Sequence, residues 1–313
     1  MKNQYFQKTI LLLESIHISK HKVSLLDVMR VFINQFKKDD VQGKAQAMAF
    51  NFILAVFPGI IFLFTLIPYI PIKNLDQQIL LLLQHAMPES IFQSAKETIE
   101  DIVKKPRGGL LSLGFFMAMI ASMNGTLAMM EAFNKCYKTV EKMGFFKLRL
   151  KALGITFVLL GILLVAIIIL IIGEVILNFY FEYLDFLFGH FQFYFFLTLR
   201  YTIVCITFFT GLSTIYYLAP AVKNRFEFFS VGAFIATFLI LTISLLFSFY
   251  LKNFASFNKI YGSIGTLIAL MLWYYLICIA ILVGFEINAS VEMAKSIKEN
   301  KKLKAPKINR FKT

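Results

Sequence analysis

The residues with the most capacity for chemistry stand within or at the ends of long apolar stretches. Glu286 and Asn288 follow the run LIALMLWYYLICIAILVG, which contains no charged residue. Polar side chains at membrane depth are costly, and they tend to face a bundle interior or a wet cavity. Six such residues form a candidate polar cluster lining a substrate path: Asn51, Asn124, Glu131, Asn134, Glu286 and Asn288. The simpler alternative is that Glu131 and Glu286 reach water at the ends of their helices.

Established catalytic and metal-binding patterns are not found in the sequence. His17 and His21 are four residues apart, but Ile18 stands where the zinc-protease pattern needs a glutamate. No third ligand or carboxylate partner follows nearby, so we interpret them as surface histidines. The three cysteines are far apart and have no spacing typical of a metal or disulfide framework. We therefore predict no metal, no cofactor and no enzymatic activity.

The composition indicates a polytopic membrane protein. The chain has 313 residues, of which 58% are hydrophobic and only 16% are charged, and its mean hydropathy is +0.72. A soluble domain is about one quarter charged. The apolar residues occur in runs of about twenty, the length that an α-helix needs to cross the hydrocarbon core. We predict an all-α membrane bundle of six helices, over residues 47–70, 109–133, 152–173, 195–219, 230–251 and 264–285.

The net charge is +14, and the distribution of the Lys and Arg residues along the chain gives the orientation. If the N-terminus is cytoplasmic, the portions inside the cell carry 24 of the 32 Lys and Arg residues. Basic residues favour the cytoplasmic side, so both termini are predicted to lie there. The charge then indicates contact with anionic lipid headgroups and no nucleic-acid partner. Association with further copies of the chain is left open.

Three regions follow from this topology. Residues 1–46 form a cytoplasmic N-terminal region, in which apolar positions from Leu25 to Phe36 recur at helical spacing. This amphipathic helix lies in the membrane interface or packs on the inner end of the bundle. Residues 47–292 form the membrane domain, with an outer loop at 71–108 that reads as two helices broken at Pro88. Residues 293–313 form a basic tail, with disorder expected beyond about Lys301.

Two further features concern helix breaks and a charge pair. Pro58 and Gly59 predict an interruption in the first segment, and Gly262 and Gly265 permit a turn or a close helix contact before the last one. Proline kinks also occur in purely structural bundles. Glu174 and Arg200 stand near the outer ends of the third and fourth segments, so they form either an ion pair or two independent interfacial residues.

Four stretches together resemble one family. They are AMAFNFILAVFPG, SMNGTLAMMEAFNKCYKTVEKMGFFKLR, IYYLAPAVKNRFEFFSVGAFIAT and IYGSIGTLIALMLWYYLICIAILVGFEINA, and in this order they resemble the YihY/BrkB family over about residues 40–292. The resemblance implies a bacterial inner-membrane protein with a link to virulence, and it places Glu286 and Asn288 in a family motif. It implies no catalytic residue. Ala55 and Phe285 stand where the family often has a hydroxyl residue and an alanine.

Three functions are compatible with these observations. The first is transport or flipping of a lipid-related or small amphipathic molecule, with the polar cluster lining the path. The second is a non-catalytic scaffold for partners that act on the envelope or in virulence. The third follows from the label ribonuclease BN that some family members carry. It is the least favoured, because the sequence has no metal-spaced carboxylate cluster and no basic aqueous face.

Overall fold

The computed structural model describes residues 17–18, 23–70, 75–86, 89–136, 143–182, 185–222, 227–253 and 263–304. Apart from two paired strands of two residues each, these residues are almost entirely helical. Six of the helices are long and apolar enough to cross a membrane. The predicted all-α bundle of six spans is therefore confirmed. The described elements are β1 (His17–Ile18), β2 (Val23–Ser24), α1 (Leu25–Phe36), α2 (Val41–Leu66), α3 (Leu75–Ala86), α4 (Glu89–Lys104), α5 (Gly108–Asn134), α6 (Phe145–Glu182), α7 (Asp185–Leu218), α8 (Val231–Asn253) and α9 (Ser263–Lys304).

The N-terminal helix α1 packs on the bundle. Ser24 caps it by accepting a hydrogen bond from the Asp27 backbone N–H at 3.2 Å. Val28 is buried against Val291 and Ala294 of α9, whereas other apolar side chains of α1, Met29, Ile33 and Phe36, stay exposed. One face of α1 thus rests on α9, and another is free to meet the membrane interface.

The first span is a single helix. α2 runs from Val41 to Leu66 with Pro58 inside it. The predicted break at Pro58 and Gly59 is therefore wrong: a proline removes one hydrogen bond from the ladder, and the remaining bonds carry the helix past it. The chain leaves the helix only at Leu66, where a 3-10 turn over Ile67–Tyr69 begins.

Two short helices cover the other end of the bundle. α3 and α4 occupy the loop that was predicted to hold two helices, and the predicted break at Pro88 lies outside the described residues. Ile67, at the end of the first span, is buried with Ile99 and Val103 of α4. This apolar contact attaches the loop to the membrane helices.

The buried core lies mainly where α2, α5, α7, α8 and α9 pack together, close to the end at which α2, α6 and α8 begin. We call this the basic end, because its flanks carry most of the Lys and Arg residues. The Phe133 and Phe285 rings stack there with centroids 4.0 Å apart, and Tyr216 meets Phe133 edge-on at 5.8 Å. The outward faces of the spans carry exposed Phe, Leu and Ile side chains, as expected for helices whose solvent is lipid.

Candidate functional site

Four side chains from three parts of the chain meet at the basic end. Asp39 and Lys44 flank the start of α2, which is capped by the Asp40 side chain accepting from the Gly43 N–H at 2.9 Å. Cys136 lies two residues after the end of α5, and Glu286 lies in α9. We call Asp39, Lys44, Cys136 and Glu286 the buried cluster.

The members of the buried cluster are in direct contact. Cys136 Sγ lies 3.0 Å from Glu286 Oε1 and 3.4 Å from Asp39 Oδ2. Lys44 Nζ donates to Asp39 Oδ2 and lies 3.5 Å from the same sulfur. The thiol is therefore at the centre of the group, with a carboxyl on either side.

Burial makes these contacts matter energetically. Glu286 is 1% exposed, and the Lys44 and Asp39 side chains are 8% and 18% exposed. Removing a charged group from water costs several kcal/mol unless a partner compensates, so about that much is at stake for each charged member. Asp39 and Lys44 compensate each other, which leaves Glu286 without a cation of its own among the described residues.

Two pKa values outside the spans are perturbed by this environment. Burial raises the pKa of the Cys136 thiol, and the neighbouring Glu286 carboxylate raises it further. Burial of Asp39 opposes its ionisation, but its hydrogen bonds with the Glu286 side chain and the Lys44 ammonium outweigh this effect and hold the pKa of Asp39 below its usual range. Near neutral pH the cluster thus combines a neutral thiol with an ionised Asp39.

Asn288 joins α9 to the start of α8. Its Oδ1 accepts from the Gly232 N–H at 2.8 Å, and its Nδ2 donates to Ser230 Oγ at 2.8 Å. The bond from the Gly232 N–H satisfies one of the backbone N–H groups that have no partner within the helix at a helix start. Gly232 and Gly284 permit the close approach, since a Cβ on Gly232 would lie 2.0 Å from the Gly284 carbonyl oxygen.

Further hydrogen bonds join other helices at the basic end. The Tyr216 hydroxyl donates to the Ile281 carbonyl at 2.7 Å, and Asn134 Oδ1 accepts from the Ala221 N–H at 2.8 Å. Lys151 Nζ donates to the carbonyls of Ala219 and Pro220, at 3.2 and 3.1 Å. These bonds hold the surroundings of the buried cluster in place.

The structure distributes the predicted polar residues unevenly. Glu286 and Asn288 are buried and engaged, and Asn134 binds the segment after α7. Asn51 donates to the Ala47 carbonyl of its own helix at 2.8 Å, and Asn124 is half-buried within α5. Glu131 is exposed, as in the simpler reading.

The other predicted site residues are only partly described. Gly262 lies outside the described residues, and Gly265 is buried near the start of α9. α6 continues past Glu174 to Glu182, but the Glu174 side chain lies outside the part that is described. Arg200 is exposed in α7. The ion pair of Glu174 and Arg200 stays a prediction.

Sequence reasoning missed three members of the buried cluster, Asp39, Lys44 and Cys136. A signal was available, because the predicted topology put Asp39, Cys136 and Glu286 at the same end of the membrane. What was lacking was the rotation of each helix, which determines whether side chains at one depth face each other.

An apolar groove opens between α6 and α7, and its lining contains no charged residue among those described. Its volume is about 610 Å³, and its walls include Gly161, Val165, Ile203 and Thr207. The lining runs from Val158 to Ile169 along α6, about 16 Å of helix. The groove is long and apolar, and it lies between two spanning helices.

Comparison with known proteins adds a family and several relatives. The family model described as "Virulence factor BrkB" matches residues 32–309. The chain is 28% identical to the "Putative ribonuclease-like protein YfkH" of Bacillus subtilis, over 87% of this chain and 98% of that protein.

Shorter similarities connect the chain to proteins named UPF0761 membrane protein. The one in Chlorobium phaeobacteroides is 40% identical over 25% of this chain and 18% of its own length. The one in Photobacterium profundum is 36% identical over 26% of this chain and 25% of its own length. No solved structure matches.

Proposed function

Because the chain belongs to the virulence factor BrkB family and has six membrane-spanning helices, we propose that it translocates a lipid-related or small amphipathic molecule across the bacterial inner membrane. The observation that carries this proposal is the buried cluster. A carboxyl that is 1% exposed, inside an otherwise apolar bundle, is costly, and such groups in membrane proteins mark substrate and ion pathways.

The groove between α6 and α7 supports a substrate with an acyl chain. Its walls are almost entirely aliphatic, so it can accept a hydrocarbon chain without leaving polar groups unpaired. The groove begins at Val158, about 10 Å along α6 from Lys151. A lipid bound there would hold its headgroup near the basic end and its chain in the groove.

The inner-membrane location is what the family resemblance implies, and the orientation rests on charge. The segments that flank the basic end carry most of the Lys and Arg residues, and such residues favour the cytoplasmic side. In this orientation the buried cluster lies in the cytoplasmic half of the bundle, and α3 and α4 lie outside.

Nuclease activity, which the name of the Bacillus relative suggests, has weaker support. Among the described residues, the buried cluster brings together the carboxyls of Asp39 and Glu286, and Glu286 is 1% exposed. A phosphodiester could not reach that carboxyl without separating α2, α5 and α9. We therefore place translocation first.

The test is reconstitution of the purified full-length chain into liposomes. Fluorescent phospholipids in both leaflets are exposed to an impermeant quencher, and ion flux is followed in parallel vesicles. Translocation predicts quenching beyond the level of protein-free vesicles. If neither lipids nor ions move with correctly folded protein, the translocation proposal fails and the scaffold alternative gains support.

A further inference from the structure

The buried cluster has more acceptors than donors. Glu286 Oε2 is buried and has no hydrogen-bond partner among the described residues. Gln35 donates from Nε2 to the Cys136 carbonyl at 3.2 Å, and its Oε1 is also buried with no partner in the described part of the chain. Two unpaired acceptors thus belong to residues that touch Cys136. Native structures leave few such atoms unpaired, and each one calls for an explanation such as an unseen ion.

The donor atoms have the spacing of a metal site. One atom each from Asp39, Cys136 and Glu286 lie within 4.8 Å of one another, and the two sulfur–oxygen distances are 3.0 and 3.4 Å. Tetrahedral zinc with ordinary bond lengths places sulfur and oxygen ligands about 3.6 Å apart. Changes of about 0.6 and 0.2 Å in these two sulfur–oxygen distances would bring both pairs to that spacing.

The charges also balance for a divalent ion. With the thiol ionised, Asp39, Cys136 and Glu286 carry three negative charges, and Lys44 neutralises one. The remaining two equal the charge of one Zn²⁺ ion. Lys44 would then act as the outer partner that orients a ligating carboxylate, as such partners do in other zinc sites.

We propose that Asp39, Cys136 and Glu286 bind one divalent metal ion of the zinc class at the basic end. A thiolate with carboxylates suits zinc better than calcium or magnesium, which take oxygen ligands only. Binding replaces the thiol proton and any proton on the Glu286 carboxyl, and both leave to solvent. Asp39 is 18% exposed, so it offers the ion an entry path. This site does not depend on the translocation proposal.

The metal itself is the first probe. Full-length protein in detergent, stripped with a chelator, should take up one equivalent of Zn²⁺, and Co²⁺ should give the near-ultraviolet absorption of a cobalt–thiolate bond. Cys136→Ser should abolish that absorption. Since loss of an outer partner weakens metal binding about 10–100-fold, Cys136→Ser and Glu286→Gln should weaken Zn²⁺ binding by about 100-fold or more. Cys278→Ser is the matched control, because Cys278, like Cys136, is a buried thiol. Cys278 lies in α9, about 12 Å along the helix from Glu286.

A second readout needs no variant. Zn²⁺ should slow alkylation of Cys136 in the wild-type protein, measured by mass spectrometry, and leave the exposed Cys205 unaffected. The proposal is overturned if the wild type binds no Zn²⁺, if the cobalt absorption survives in Cys136→Ser, or if Cys136 is alkylated in the metal-free protein and Zn²⁺ leaves its rate unchanged.

Discussion

Replacing Gly232 by alanine should destabilise the contact between α8 and α9. The new Cβ would lie 2.0 Å from the Gly284 carbonyl oxygen and 2.6 Å from Asn288 Cγ. Ordinary contacts begin at 3.4 Å, so the two backbones would have to separate by about 1.4 Å. The carbonyl is part of a helix backbone and cannot rotate away as a side chain can.

The cost has two parts. Overpacking of this kind costs about 1–3 kcal/mol. The hydrogen bond from the Gly232 N–H to Asn288 Oδ1, now 2.8 Å, would also be stretched or broken, and a buried group left unpaired costs about 1–3 kcal/mol. We therefore expect Gly232→Ala to lose about 2–6 kcal/mol of unfolding free energy.

The assay is unfolding of purified protein by SDS in mixed detergent micelles. Gly154→Ala is the matched control, because a Cβ on Gly154 of α6 meets no atom within 4 Å. That variant should be as stable as the wild type or slightly more so, since alanine is the better helix former. Equal stability of Gly232→Ala and Gly154→Ala would refute the packing of α8 on α9 described above.

Three further predictions concern the polar contacts and the topology. Asn288→Leu should lower the unfolding free energy by about 1–3 kcal/mol, because it removes the hydrogen bonds of Asn288 to the Gly232 N–H and to Ser230. Asn51→Leu is the control, and an equal loss of stability in the two variants would contradict the contact between Asn288 and the start of α8. Lys151→Met should cost about 1–3 kcal/mol in the same assay by leaving the Ala219 and Pro220 carbonyls without this donor, whereas the exposed Lys147→Met should be near neutral, and a neutral Lys151→Met would show that the contact contributes nothing. Single cysteines at positions 90, 185 and 256 should react with an impermeant reagent on intact spheroplasts and those at 140, 225 and 305 should not; labelling at 140 would reverse the proposed orientation.

The number and type of spans could be predicted from the sequence because each depends on local composition. A run of about twenty apolar residues has few alternatives to a spanning helix. The predicted breaks were less reliable, as α2 shows: a proline removes one hydrogen bond, but its neighbours in the ladder maintain the helix through Pro58.

The buried cluster could be predicted only in part, because its contacts join residues far apart in the chain. Cys136 lies 97 residues from Asp39 and 150 from Glu286. Depth in the membrane follows from counting along each span, but helix rotation follows from packing with neighbours. Asn51 illustrates the difference, since it lies near the predicted depth yet bonds its own helix.

The measurement that tests the central claim most directly compares Glu286→Gln with Glu131→Gln in the liposome assay. Gln preserves the size of each side chain and removes its titratable charge. Glu286 is buried in the cluster, and Glu131 is exposed near the same end. After both variants are shown to fold, a functional cluster predicts that Glu286→Gln loses translocation and Glu131→Gln keeps it. Full translocation by Glu286→Gln would contradict the account and reduce Glu286 to a packing residue.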